Sequence, residues 1–310
     1  MGNIKSIIGS NLSGQPATVT IIDGENKQQL IDLSLHITEK CNYSCRHCYM
    51  SSNPNVQDAL KKEEIFSAVN QLSNKKYHVS SVLITGGEPF LHPDLDSIIK
   101  YTSKRISPLI IFTNGYWVSD INKTKKRLKE LRKLGCEHIK FSINDKYHQE
   151  FMGEEKIKLI TEIYHNPEKC FPLIELNHEK EGVDPKGAAL SLPREAIKTD
   201  DQNENSYKEW DMPFYNPCHI ADRDLFRKID FNIRATGEVY PCSWFVKSLG
   251  NIKKDSIDTI VNNFWTDREY DSIIKIGPHA LARQGGMPEE EVHQRFLESP
   301  CRLCHDLYNK

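Results

Sequence analysis

The stretch Cys41-Asn-Tyr-Ser-Cys45-Arg-His-Cys48 decides the fold, because it sets three thiols at a fixed spacing directly after an apolar alternating segment. Residues 30–37 alternate in polarity and predict a half-buried strand that leads into this loop. Thiolates suit iron–sulfur clusters and zinc. Three cysteines leave one iron of a four-iron cluster open to bind a ligand, so the loop is a candidate site for chemistry. A structural zinc site is the alternative.

Composition restricts the class of protein. A chain of 310 residues can bury a large α/β core, alone or with an appendage. Its 41 basic and 43 acidic residues give a net charge of -2, which argues against nucleic acid and anionic membranes as partners. The sequence shows neither a membrane-spanning apolar window nor an apolar signal core. Nine cysteines are many for a reducing compartment unless they hold metal, and we expect a cytoplasmic protein.

Strand and helix patterns alternate after the cysteine loop. Periodicity predicts helices over 62–74, 95–104 with Asp94 as its cap, 122–134 and 155–164, and strands over 79–84, 109–112, 136–143 and 172–177. With residues 30–37 these make five strands, and such alternation predicts a parallel sheet with crossovers.

Polar residues follow the predicted strands. They are Gly86, Gly87 and Glu88 after the second strand, Asn114 after the third, and Ser142 with Asn144 at the end of the fourth. Because right-handed crossovers bring the carboxyl ends of parallel strands to one edge, we expect these residues to converge on the cysteine loop. An ordinary turn is the alternative at Asn114. Asp145 and His148, which come next, are interpreted as a helix cap and a surface histidine rather than as a catalytic pair.

The Cys-x3-Cys-x2-Cys loop, with His47 before its last cysteine, resembles the signature of radical S-adenosylmethionine (radical SAM) enzymes. The resemblance implies a partial (β/α)6 TIM-like barrel in which Cys41, Cys45 and Cys48 hold a 4Fe-4S cluster. The open iron of that cluster chelates the methionine part of S-adenosyl-L-methionine. Reductive cleavage of the cofactor then gives a 5'-deoxyadenosyl radical that removes a hydrogen atom from the substrate.

The same resemblance assigns the cofactor-binding residues. Gly86, Gly87 and Glu88 look like the family motif that holds the amino group of the methionine part. Asn114, Ser142 and Asn144 stand where family members place polar groups near the cofactor, and His47 completes the set. The resemblance assigns no catalytic residue for the later steps.

A second set of cysteines follows, comprising Cys218, Cys242, Cys301 and Cys304. A hairpin over 231–242 can present Cys242 toward Cys218, and four thiolates suit zinc or a fully ligated cluster equally. The elements Gly237-x4-Cys242, residues 250–252 with a helix over 256–264, and the late Cys-x2-Cys resemble twitch, the single-cluster form of the SPASM module. The resemblance implies one auxiliary 4Fe-4S cluster, two in all.

We therefore expect an N-terminal arm or hairpin over 1–28, a radical SAM core over 29–178, a linker or substrate-facing segment over 179–217, and the module over 218–310. Within them, residues 50–60 are interpreted as a flexible flap over the cluster. Residues 276–288 are interpreted as a solvent loop. The two spare cysteines, Cys136 and Cys170, are interpreted as small buried residues.

The layout looks closest to the peptide-epimerising members among the peptide-modifying enzymes, and the resemblance implies oxidation, cross-linking or other maturation of a ribosomally made peptide. Epimerisation is disfavoured because Ser243 stands where a hydrogen-donating cysteine follows the hairpin ligand in those members. The expected partners are a peptide or small-molecule substrate and an electron donor such as flavodoxin or ferredoxin. The alternatives are a dehydrogenase or epimerase of a sugar or aminocyclitol, and a non-catalytic zinc or iron–sulfur protein.

Overall fold

The computed structural model describes residues 4–10, 16–22, 28–45, 48, 50–143, 146–176, 228–242, 247–298, 303 and 307. Several residues assigned from the sequence lie outside these ranges, namely His47, Asn144, Asp145, Cys218, Ser243, Cys301 and Cys304. The linker over 179–217 lies outside them as well.

Strands and helices alternate along the chain as the sequence predicts. The strands are β1 (Ile4–Ser10), β2 (Pro16–Ile22), β3 (Gln29–Thr38), β4 (Tyr77–Gly86), β5 (Leu109–Thr113), β6 (His138–Phe141), β7 (Leu173–Leu176), β8 (Lys228–Ile233), β9 (Glu238–Tyr240) and β10 (Gly250–Asn251). The helices are α1 (Lys62–Leu72), α2 (Leu95–Thr102), α3 (Ile121–Leu134), α4 (Lys146–Met152), α5 (Glu154–His165), α6 (Ile257–Thr266), α7 (Arg268–Gln284) and α8 (Glu289–Glu298).

One mixed sheet holds most of the strands in the order β10-β9-β8-β3-β4-β5-β6-β7. The five predicted core strands, β3 to β7, are parallel and adjacent, which confirms the parallel sheet. The predicted late hairpin, β8 and β9, is also present, but β8 pairs in parallel with β3 and so continues the core sheet. Within the described residues the sheet does not close, as in a partial barrel. β1 and β2 form a separate hairpin, one of the two forms expected for the arm.

The hydrophobic core lies between one face of this sheet and the helices. Alternate residues of β3, namely Ile31, Leu33, Leu35 and Ile37, are fully buried, and they share one cluster with the apolar faces of the helices. Buried residues recur every two positions along the strands and about every 3.6 positions along the helices, and the two sets pack together in one layer. Burying each such side chain stabilises the fold by about 1.5–3 kcal/mol.

Residues 276–288, interpreted as a loop, are largely helical, so that prediction was wrong. Helix α7 runs to Gln284 and bends at Gly277, whose φ of 74° lies outside the helical region. Glycine adopts this conformation without steric cost, and the following Pro278 can begin a second helical segment because its missing N–H is not needed there. Tyr270, Ile273 and Ala282 are buried, so packing outweighs the turn signal of Gly-Pro.

Three smaller expectations also need correction. Cys136 is buried as expected, but Cys170 is exposed, since it lies in the turn before β7 that the Phe171 N–H to Glu168 carbonyl bond closes. Asp94 precedes α2 without capping it, because its carboxylate accepts a hydrogen bond from Lys62 Nζ instead. Residues 50–60 are tied to the end of β3 by backbone bonds such as Leu60 N–H to Ile37 O at 3.0 Å, so this segment is not a loose flap.

Candidate functional site

The cysteine loop begins three residues after β3 and is largely buried. Cys41 and Cys45 are buried, and Cys48 is partly buried. The three residues share a packed cluster with Tyr43 and Tyr147, and the ring of Tyr43 stacks on Phe151 with 5.2 Å between ring centroids. Helix α4 therefore lies against the loop and gives it an aromatic wall. Sequence reasoning missed this wall, for which the only signal is an aromatic side chain soon after the fourth core strand.

Gly86, the last residue of β4, and Gly87, which follows it, hold this strand against the backbone that leads into the loop. The N–H of Gly87 donates to the Thr38 carbonyl at 2.7 Å, and the N–H of Glu88 donates to the Lys40 carbonyl at 2.9 Å. A Cβ at Gly86 would lie 2.2 Å from Thr38 O, and one at Gly87 would lie 2.3 Å from Lys40 O. The sequence interpretation gave both glycines a role in approaching a ligand. In the structure, the atoms closest to both glycines belong to the backbone of residues 38–40.

Glu88 is fully buried and links the ends of β4 and β5. Its Oε1 accepts hydrogen bonds from Phe90 N at 3.1 Å and Thr113 Oγ1 at 2.8 Å, and its Oε2 accepts one from Asn114 N at 2.7 Å. Burial raises the pKa of Glu88 to about 7, while the donated hydrogen bonds oppose this rise. Carboxylate oxygens accept about two bonds each, so Oε2 retains one acceptor position.

Asn114 joins this carboxylate to the cysteine loop. Its Nδ2 lies 3.5 Å from Cys41 Sγ and 3.1 Å from Asn42 Oδ1, and its Oδ1 accepts from Tyr116 N at 3.0 Å. The structure thus brings together four of the predicted groups, which are the cysteine loop, the two glycines, Glu88 and Asn114. Ser142 follows β6 on the same edge, where its N–H donates to Thr113 O at 3.0 Å.

The donors of the loop suit an iron–sulfur cluster. Burial raises the pKa of Cys41 to about 11, so its thiol carries a proton until a metal displaces it. Thiols are soft donors of the kind that iron–sulfur clusters take, so three of them in one packed loop fit a cluster. Within the described ranges, no group of three His, Cys, Asp or Glu side chains forms a site for a single metal ion.

The second cysteine set is described only at Cys242, which is buried directly after the β8–β9 hairpin. The hairpin turns at Gly237, whose φ of 91° is accessible to glycine at no steric cost. Ser256 caps α6 by accepting from Thr259 N, as expected for a helix in this segment. Because Cys218, Cys301 and Cys304 lie outside the described ranges, the convergence of the four thiols stays a prediction.

No helix in the described part of the chain is long and apolar enough to cross a membrane.

Comparisons with known proteins agree with this geometry. Residues 35–162 match the Radical SAM superfamily, and residues 226–305 match SPASM, an iron–sulfur cluster-binding domain. Both ranges contain cysteines of the corresponding predicted set.

Two relatives come from Bacillus subtilis (strain 168). YydG, provisionally described as a peptide biosynthesis protein, is 26% identical over 232 residues, which cover 68% of this chain and 68% of YydG. AlbA, the antilisterial bacteriocin subtilosin biosynthesis protein, is 24% identical over 292 residues, which cover 79% of this chain and 62% of AlbA. The chain thus spans about two thirds of the length of these relatives.

The fold also resembles a solved structure. The crystal structure of BtrN in complex with AdoMet and 2-DOIA superposes with a TM-score of 0.52 at 17% identity, covering 82% of this chain and 90% of BtrN. At this identity the likeness concerns the fold alone. The two domain matches by themselves show that the chain carries a Radical SAM superfamily domain followed by a SPASM iron–sulfur cluster-binding domain.

Proposed function

We propose that this protein is a peptide-maturing radical SAM enzyme that removes a hydrogen atom from a ribosomally made peptide and leaves it oxidised or cross-linked. The observation that carries the chemistry is the single edge where Asn114 contacts both Cys41 and the Glu88 carboxylate. The peptide substrate is supported by YydG and AlbA, since the descriptions of both relatives concern peptide or bacteriocin biosynthesis.

The residues at this edge divide into two roles. Cys41, Cys45 and Cys48 would hold a 4Fe-4S cluster, and the second domain implies an auxiliary iron–sulfur cluster. Glu88 offers its remaining acceptor position to the ammonium group of S-adenosylmethionine, beside Asn114 and Ser142. When bound, the cluster and cofactor together supply a carbon radical that abstracts hydrogen.

Asn114 and the aromatic wall have supporting roles. The Asn114 amide directs an N–H toward Cys41 Sγ, and such a donor stabilises thiolate charge. Tyr43 and Tyr147 pack against the thiols and keep water from them. Exclusion of water strengthens each electrostatic contact of the site.

The outcome we propose is oxidation rather than epimerisation. The residue after Cys242 is Ser243, and a serine O–H bond is too strong to return a hydrogen atom to a carbon radical. We therefore propose that the substrate radical loses one electron, for which the auxiliary cluster that Cys218, Cys242, Cys301 and Cys304 would hold is the acceptor, and that one proton leaves to solvent as the double bond or cross-link forms.

Anaerobic reconstitution tests this function. The wild-type chain should bind about eight irons, the content of two four-iron clusters, and release 5'-deoxyadenosine after reduction by flavodoxin or ferredoxin. Peptides encoded by short reading frames beside the gene are then screened for a loss of mass. Cys45→Ala should lower the iron content by about four atoms and abolish 5'-deoxyadenosine formation. Cys304→Ala should lose the auxiliary iron, retain some cofactor cleavage and fail to complete turnover.

Cys170→Ala is the matched control, because Cys170 is exposed and belongs to neither cysteine set. It should keep both the iron content and the activity. Zinc uptake without cofactor cleavage in the wild type would contradict the enzyme assignment. Cofactor cleavage stimulated only by sugars or aminocyclitols would contradict the peptide substrate.

A further inference from the structure

The sheet face opposite the helices carries two rows of side chains below the site. Strand register places Leu83, Ile110, His138 and Leu173 in a lower row. An upper row, two residues nearer the strand ends, contains His36, Thr85, Phe112, Lys140 and Glu175. Asn114 and Ser142 follow two residues farther on. A molecule that extends from the site over this face therefore meets the upper row first.

This face is chemically distinct from the face that packs on the helices. Leu83 and Ile110 are buried, yet they lie outside the cluster that contains the helices, and Phe112 is only partly buried. The upper row is polar except for Phe112. It is therefore a half-buried surface with charged groups, directly below the edge that holds the cysteine loop.

Lys140 is the cation of this row, and nothing in the described part of the chain neutralises it. Register places Glu175 directly opposite it, where opposite charges commonly pair. The Glu175 carboxylate instead reaches down to the lower row and contacts His138 Nδ1 at 3.2 Å. The Lys140 ammonium lies toward β5, on the side away from Glu175, and is 5.2 Å from the centroid of the Phe112 ring.

We propose that Lys140 binds a carboxylate of the substrate peptide, so that the enzyme selects peptides with an acidic group near the reacting residue. Lys140 is a partly buried residue whose ammonium has no counter-charge among the described residues, so an anion that reached it would be stabilised. The Phe112 ring stabilises the cation while leaving its N–H donors available. The divergence of Lys140 and Glu175 keeps the acidic side chain out of the space an anion would occupy.

The depth of Lys140 favours substrate over cofactor as the source of this carboxylate. The predicted cofactor residues lie at the strand ends, whereas Lys140 lies two residues below Ser142, about 7 Å along the strand. The inference rests on the proposed peptide substrate. The experiment below distinguishes a failure of the inference from a failure of the proposed substrate.

The test uses the reconstituted full chain and a synthetic peptide library whose one fixed position is Glu, Gln or Lys among randomised neighbours. Modified peptide and 5'-deoxyadenosine are quantified for the wild type, Lys140→Met, Lys140→Glu and the control Lys133→Met. Lys133 is exposed on α3 and controls for the loss of one lysine.

The wild type and Lys133→Met should prefer the Glu library over the Gln library by about tenfold or more, as expected for a charge-assisted hydrogen bond. Lys140→Met should lose this preference, and Lys140→Glu should turn it toward the Lys library. An unchanged preference in Lys140→Met would overturn the inference alone. So would a loss confined to the KM of S-adenosylmethionine, because the anion would then belong to the cofactor. If the wild type modifies none of the libraries, the proposed peptide substrate fails, and the inference fails with it.

Discussion

The two ends of strands β3 and β4 are fixed by different kinds of contact. At the carboxyl ends, backbone meets backbone through Gly87, and the buried Glu88 ties in β5. At the amino ends, side chains connect the sheet to α6 of the second domain. There Lys76 and Tyr77 both contact the Asp258 carboxylate, and Trp265 Nε1 donates to Gln29 Oε1 at 2.9 Å.

The two ends of these strands differ in how well they tolerate a change of side chain. Backbone contacts at van der Waals distance leave no room for an added atom, so the site edge has one geometry. The Lys76 and Asp258 side chains are more than half exposed, and water can replace their contacts. The chain is thus rigid where chemistry is expected and adaptable where the two domains join. Three substitutions, described from the largest expected effect to the smallest, would sharpen or break this contrast.

Gly87→Ala should have the largest effect. Its Cβ would lie 2.3 Å from Lys40 O, and Gly87 has no positive φ, so the cost comes from the contact itself. We expect the free energy of unfolding to fall by about 2 to 3 kcal/mol, measured by urea denaturation of the cluster-free chain. Gly285→Ala is the control, since its nearest contact is 3.4 Å, and it should change stability by less than about 1 kcal/mol. Equal losses of stability in the two variants would mean that the backbone at this edge moves to accommodate the added methyl group.

Glu88→Gln should change how stability depends on pH. The folded-state pKa of about 7 lies above the ordinary value of 4.5, so the folded chain binds this proton more tightly than the unfolded chain. The contribution of Glu88 to the free energy of unfolding is therefore fully present below about pH 4.5. It is lost as pH rises to about 7, by up to about 1.4 kcal/mol per pH unit. Denaturation of the cluster-free chain across this range should show the slope in the wild type. The same slope should appear in the exposed control Glu63→Gln, but not in Glu88→Gln. Parallel curves for all three would contradict the assignment.

Asp258→Asn should have the smallest effect and the opposite pH dependence. Hydrogen bonds from Lys76 and Tyr77 hold the pKa of Asp258 below its usual 3.8, so its contribution is present above that pH and is lost in acid. Because the pair is exposed, we expect a loss of less than about 1 kcal/mol at pH 7, and less still in 1 M salt. A loss above about 2 kcal/mol that salt does not reduce would show that this end is as rigid as the other.

Much of the fold follows from periodicity, because burial on one face dictates it. The alternation of residues 30–37 and the apolar spacing of α1 and α3 predict elements whose positions the structure confirms within a few residues. The edge where the strand ends meet follows from the handedness of crossovers. The pairing of β8 with β3 did not follow, since a hairpin pattern does not tell which strand it will join.

The contacts within the site were less accessible to sequence reasoning. That Gly86 and Gly87 face the backbone of Thr38 and Lys40 depends on how two loops pack, and no local pattern encodes it. The same holds for the packing of Tyr147 against the cysteines and for Lys140 turning away from Glu175. In each of these places the partner is distant in sequence, so only the folded chain identifies it.

The position of β8 also bears on how the two domains depend on each other. Residues Leu30 to Leu35 of β3 pair on one side with β4 and on the other with β8. A radical SAM domain separated from the second domain would present that side of β3 as an open strand edge, which is a ready template for aggregation. The second domain thus covers the first strand of the catalytic sheet, and the two regions are better regarded as one folding unit than as an enzyme with an accessory attached.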